Sequence, residues 1–151
     1  MSEYEYDKDY RFSAKWGEEV ASYGFTQIPN VLISCQGHLG LTDGEFTILC
    51  HLFSYWFSQE GKVYPAIQTL CDRSGKKYST IQKRLAGLEK KGFVQRVHRI
   101  GNSSVYNFEV CAEKMTLHVL NCHSPPHKMY RDWRKSIGIP TSKLNTKEYE
   151  L

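Results

Sequence analysis

A chain of 151 residues with 40% hydrophobic and 13% aromatic side chains can fill the core of one globular domain with an appendage, which excludes a wholly disordered chain. No apolar run approaches the ~20 residues that span a bilayer, and the start MSEYEYDKDYRF is too acidic and polar for a signal peptide, so a cytoplasmic protein is expected. The net charge of +4 is unevenly placed: residues 62–104 hold ten Lys and Arg against Asp72 and Glu89, a local +8, while the first twenty carry six acidic against three basic side chains.

Residues 1–23 read as an N-terminal arm without a clean period, in which Trp16, Val20 and Tyr23 share one face if EEVASY is helical. After Gly24, Phe25, Ile28 and the apolar run 31–33 around Pro29 read as a short strand or extended lead-in. The first strong helix starts at Thr42, whose hydroxyl caps the backbone while Glu45 reaches back in a T-x-x-E box, and it runs to about Ser58. Phe46, Leu49, Cys50, Phe53 and Trp56 or Phe57 recur at helical spacing, yet Ile48, Leu52 and Tyr55 make the other side apolar too. Such a helix is buried on both sides or meets a second copy.

Pro65 presets the start of a second helix over 66–74, with Ile67, Leu70 and Cys71 facing inward, and Gly75 supplies the backbone freedom of a tight interhelical turn. A third helix over 78–91 lines Ile81, Leu85 and Leu88 along one stripe and stops at Gly92. Gly87 inside it costs about 1 kcal/mol relative to alanine, which close packing of another helix would explain. Residues 93–110 read as a two-stranded hairpin turning around Gly101-Asn102-Ser103-Ser104. The remainder, 111–151, is a C-terminal extension with MTLHVL, a Pro125-Pro126 break and an amphipathic helix carrying Met129, Tyr130, Trp133 and Ile137.

The uneven charge points to a polyanion more than the total does. A membrane surface is the weaker reading, because no lipidation signal accompanies the basic residues.

The order helix, helix, turn, helix, hairpin over residues 25–110 resembles the winged helix-turn-helix DNA-binding proteins, in particular the modules of plasmid and phage replication initiators and bacterial regulators. The matching pieces are FTQIPN, LTDGEF, the YPxxxxL of Tyr64, Pro65 and Leu70, then Gly75, STIQ and LAGLEKKGFV. Three departures stand out: Ala66 where such modules often have a capping serine, and Lys76 and Lys77 where the turn often has an apolar residue and a capping serine. The resemblance implies an α+β winged helix, a three-helix core plus a β-hairpin wing, occupying 24–110 between the arm and the extension.

The same resemblance implies that the third helix enters the major groove of double-stranded DNA, with Tyr78, Ser79, Gln82 and Lys83 near base edges. Gln82 suits an adenine edge and Lys83 a guanine edge. Lys76, Lys77 and Arg84 suit phosphates, beside the open amides of the helix N-terminus. Arg96, Arg99 and Asn102 belong to the wing, with Arg99 the candidate for a minor-groove or backbone contact. Lys90 and Lys91 favour the helix C-terminus.

Other chemistry is not expected. The set Cys111, His118, Cys122, His123 and His127 invites a zinc reading, but its spacing matches no familiar knuckle and it contains no C-x-x-C. No phosphate-binding loop, nucleophile elbow or H-E-x-x-H occurs, so neither an enzyme, a cofactor nor a small-molecule ligand is expected. Five cysteines, an odd number, read as reduced thiols. The leading expectation is sequence-specific duplex binding in transcription regulation or replication initiation, with a homodimer as one further expectation. The alternative is a winged helix that binds an acidic protein partner and touches DNA weakly or without specificity. Single-stranded DNA binding would need exposed aromatics on the basic face, where Tyr78 and Tyr64 qualify.

Overall fold

Thr42 opens the central helix of the fold in the way its T-x-x-E pattern requires. In the computed structural model, which describes residues 12–121 and Ser136, the Glu45 amide donates to the Thr42 hydroxyl at 3.2 Å and the Thr42 amide to the Glu45 carboxylate at 3.1 Å. Two amides at the start of the helix are thereby satisfied.

The elements in chain order are α1 (Phe12–Trp16), α2 (Glu18–Ser22), α3 (Asn30–Ser34), α4 (Asp43–Phe53), α5 (Ile67–Ser74), α6 (Tyr78–Lys90), β1 (Gln95–Arg99), β2 (Asn102–Asn107) and α7 (Glu109–Asn121). The fold class expected from the sequence is the one observed: the helices α4, α5 and α6 are followed by an antiparallel hairpin, consistent with a winged helix. Ile48, Leu49 and Leu52 of α4 are fully buried, together with Leu70 of α5 and Ile81, Leu85 and Leu88 of α6.

Four expectations change in detail. The lead-in is extended only as far as Pro29, after which residues 30–34 are helical. Leu32 and Cys35, three residues apart, are both buried, so the run packs with helical spacing; a short apolar run is ambiguous between strand and helix until its packing partner is known.

The central helix stops at Phe53, earlier than Ser58. The Ser54 hydroxyl donates to the His51 carbonyl at 2.6 Å, and the next amides fold back in a tighter turn, Tyr55 to Leu52 and Trp56 to Phe53. Phe57 is left 88% exposed, while Trp56 leans on Phe53 and Phe108.

The hairpin turns at Ile100-Gly101, with Arg99 opposite Asn102, and Gly101 takes a positive φ of 70°. The turn is therefore two residues long and begins before the segment that the sequence favoured. It also has a neighbour the sequence did not announce: Val63, fully buried, forms an antiparallel bridge to Tyr106.

Finally, a helix of 13 residues, α7, begins at Glu109. The Asn107 side-chain oxygen accepts from the Glu109 amide at 2.7 Å and starts it, and Cys111 and Met115 join the core beside Phe108. The expected boundary at residue 110 falls inside this helix. The Trp133 segment lies outside the described residues, as does the arm before Phe12. Within the arm that is described, α1 and α2 bury no side chain, although the Phe12 ring stacks on Phe25 at 4.7 Å.

Candidate nucleic-acid interface

The geometry of the basic region follows from how α6 is held. At its C-terminal end Gly92 adopts φ 77°, the Phe93 amide reaches back to the Leu88 carbonyl at 2.9 Å, and the Gly92 amide bonds the Glu89 carbonyl at 3.1 Å. Phe93 and Leu88 are both fully buried, which completes a Schellman stop with its apolar contact.

Against α4 the two helices approach closely at small residues. A Cβ at Gly87 would overlap the Glu45 carboxylate, and one at Gly44 would overlap the Arg84 guanidinium. The glycine inside α6 thus has the packing reason that its sequence position called for.

Several basic residues are occupied by this architecture. Lys91 donates to the Glu45 carboxylate and to the Gly40 carbonyl, both at 2.6 Å. Burial alone would raise the Glu45 pKa, but Lys91 and the Thr42 amide outweigh it and hold the carboxyl below its ordinary value. Lys91 therefore joins two helices, beyond the end-charge role expected for it.

Arg73 lies over the Tyr55 ring at 4.5 Å and donates to the Ser54 hydroxyl at 3.3 Å. Arg96, expected in the wing contact, is paired with Glu89 at 2.9 Å, and its side chain is largely buried. Burial raises the Tyr106 hydroxyl pKa beside it, and the Arg96 charge opposes that rise. From α7, Lys114 donates to the Lys91 carbonyl at 2.7 Å and lies over the Phe93 ring.

The remaining basic residues of this region, Arg84 apart, are exposed. Lys76 and Lys77 stand exposed in the turn after Gly75, whose φ of 65° and ψ of 23° are left-handed. Neither Ala66 nor Lys77 caps its helix through a side chain, so both departures from the usual pattern leave helix starts uncapped.

On α6, Ser79, Gln82 and Lys83 are exposed together, and the same stripe continues through Ala86 and Lys90 at helical spacing, away from the buried Ile81, Leu85 and Leu88. Tyr78 sits on the flank of that stripe, 50% exposed. Ala86 was not singled out from the sequence, because a small residue gives no chemical signal until its face is known. Arg84 is half-buried along the first turn of α4. In the hairpin, Arg99 and Asn102 are exposed on either side of the turn.

Compared with known families, residues 39–94 match the family described as a helix-turn-helix domain. Residues 39–94 are a helix-turn-helix domain. The matched span contains α4, α5 and α6 and ends at Val94, one residue before the hairpin. DNA is the partner that a helix-turn-helix domain implies. A comparison with curated proteins found no match.

Among the described residues no group of three or more His, Cys, Asp and Glu could hold a metal ion. The Cys111 thiol, expected as a member of the Cys/His set, is in the core, where burial pushes its pKa up to about 11. Cys122, His123 and His127 of that set lie outside the described residues. No helix among the described residues is long and apolar enough to cross a membrane.

Proposed function

We propose that this protein binds double-stranded DNA with sequence preference, serving transcription regulation or the initiation of plasmid or phage replication from the cytoplasm. The observation that carries the reading is the exposed stripe Ser79, Gln82, Lys83, Ala86 and Lys90 on the helix that follows a helix-turn-helix turn. Its polar members offer donors and acceptors to base edges, and Ala86 suits contact with a thymine methyl. Lys76 and Lys77, with the amides of α6 that no side chain caps, suit the phosphates beside the groove. Arg84 adds charge from the other edge of α6, and Asn102 and Arg99 extend the contact from the hairpin. Arg96, held by Glu89, acts here by fixing the hairpin to α6.

Selection of bound sequences from a random duplex library tests this reading. A recovered consensus supports it; no enrichment, with binding to an acidic protein partner retained, favours the interaction-module alternative.

A homodimer is part of the proposal. Trp16, Tyr23, Phe25, Phe57 and Leu117 leave more apolar surface exposed than one domain requires. A cleft of about 640 Å³ between residues 25–29, the end of α4 and α7 adds to it. Light scattering that returns a monomer at high concentration removes this part of the proposal.

A further inference from the structure

We infer that Tyr64 is a positioning residue for the DNA contact made by Arg99, an assignment that rests on the duplex-binding reading above. Tyr64 belongs to the connection between α4 and α5, and at Val63 that connection makes a single antiparallel bridge to the hairpin. The Tyr106 amide donates to the Val63 carbonyl at 2.7 Å, and the Val63 side chain is fully buried. Side chains alternate across a strand, so burying Val63 turns Tyr64 outward, and its ring is 56% exposed.

Arg99, on β1, meets that ring. Its guanidinium carbon stands 5.7 Å from the ring centroid, within the range of cation–π attraction. The Arg99 Nε also donates to the Ser103 carbonyl at 2.8 Å. Ring and carbonyl together restrain a side chain that would otherwise sample many rotamers. The two terminal guanidinium nitrogens make no hydrogen bond or ion pair among the described residues.

An arginine already ordered gives up less freedom when it meets an acceptor. DNA offers acceptors of two kinds at this place, phosphate oxygens and the floor of the minor groove, and the held fork suits both. Because Tyr64 leads directly into Pro65 and α5, the stack also ties the direction of the wing contact to the helix-turn-helix domain.

The test uses the full chain and four variants, Tyr64→Phe, Tyr64→Ala, Arg99→Ala and the double Tyr64→Ala/Arg99→Ala, titrated against a duplex recovered by selection. Thermal unfolding of each variant checks that the fold is retained. Tyr64→Ala is expected to weaken binding roughly two- to fivefold, the worth of an exposed cation–π contact, and Tyr64→Phe to stay within about twofold of wild type because the ring face suffices. With Arg99 already replaced, Tyr64→Ala is expected to add nothing. Multiplied losses in the double variant, or Tyr64→Phe as weak as Tyr64→Ala, overturn the positioning role.

Repeating the titration with A·T and G·C flanks separates the two acceptors. A loss confined to A·T flanks marks the minor groove, and an equal loss with a salt slope reduced by about one marks a phosphate; each supports the inference. Wild-type protein that prefers no duplex removes the DNA reading and the inference with it. Wild-type binding unaffected by Arg99→Ala removes the inference alone.

Discussion

Lys91, at the end of α6, donates to the Glu45 carboxylate in the first turn of α4 at 2.6 Å, and so fixes α6 against the central helix. Glu45 already serves the capping box with Thr42, so one carboxylate closes a helix start and a helix pair. Replacing Lys91 by methionine leaves that carboxylate partly buried without its cation. A loss of about 2 kcal/mol is expected in urea unfolding, between the values for exposed and buried pairs because the Lys91 side chain is 32% exposed. An unchanged midpoint would show that the pair contributes nothing net.

The same carboxylate gives the protein an acid-sensitive element. Burial pushes the Glu45 pKa up, but the Lys91 and Thr42 contacts prevail, so the folded value lies below the ordinary 4.5. A group with a depressed folded pKa contributes stability above its unfolded value and loses it as pH falls through the folded one. Stability is therefore expected to drop below 4.5, and Glu45→Gln to flatten part of that drop in urea midpoints taken across the window. Parallel profiles for the two proteins would exclude Glu45 as the group responsible.

Gly87→Ala sets two effects against each other. Alanine favours helix by about 1 kcal/mol, whereas a Cβ there overlaps the Glu45 carboxylate and must displace it from Lys91. Overpacking of this kind costs about 1 to 3 kcal/mol, so a net destabilisation is expected in thermal unfolding. A higher melting temperature for Gly87→Ala would mean that the two helices part at little cost.

Arg96 and Arg99, three positions apart in the hairpin, serve different ends. Arg96→Ala breaks the pair with Glu89 and is expected to cost about 1 to 3 kcal/mol of stability. Arg99→Ala, at an exposed site, should stay within about 0.5 kcal/mol of wild type in the same unfolding experiment. Equal stability losses would mean that both are structural.

In the turn, Lys77→Ala is expected to lower the slope of log affinity against log salt by about one unit, because each phosphate contact releases its condensed counterions. An unchanged slope would remove Lys77 from the interface.

What the sequence made legible were the features written in local chemistry. Thr42 with Glu45 announced a helix start, Gly75 a turn, Gly92 a stop, and Ile81, Leu85 and Leu88 a buried stripe, each through its own spacing or backbone preference. The features it concealed depend on residues distant along the chain. Lys91 and Glu45 are 46 positions apart, so nothing local separates Lys91 from its exposed neighbour Lys90. Val63 carries no strand pattern of its own, and its bridge to Tyr106 exists only once the chain has folded. Arg96 and Arg99 look alike until the register places one beside Glu89 and the other beside Tyr64.

The most direct test of the proposed function is the affinity of wild type and Lys83→Ala for a selected duplex and a scrambled one at the same salt concentration. Lys83 reading a base predicts a loss of about 1 to 3 kcal/mol on the selected duplex, little on the scrambled one, and relaxed preference at one position of the site. Equal losses on both duplexes, or none on either, would contradict base reading by the exposed stripe of α6.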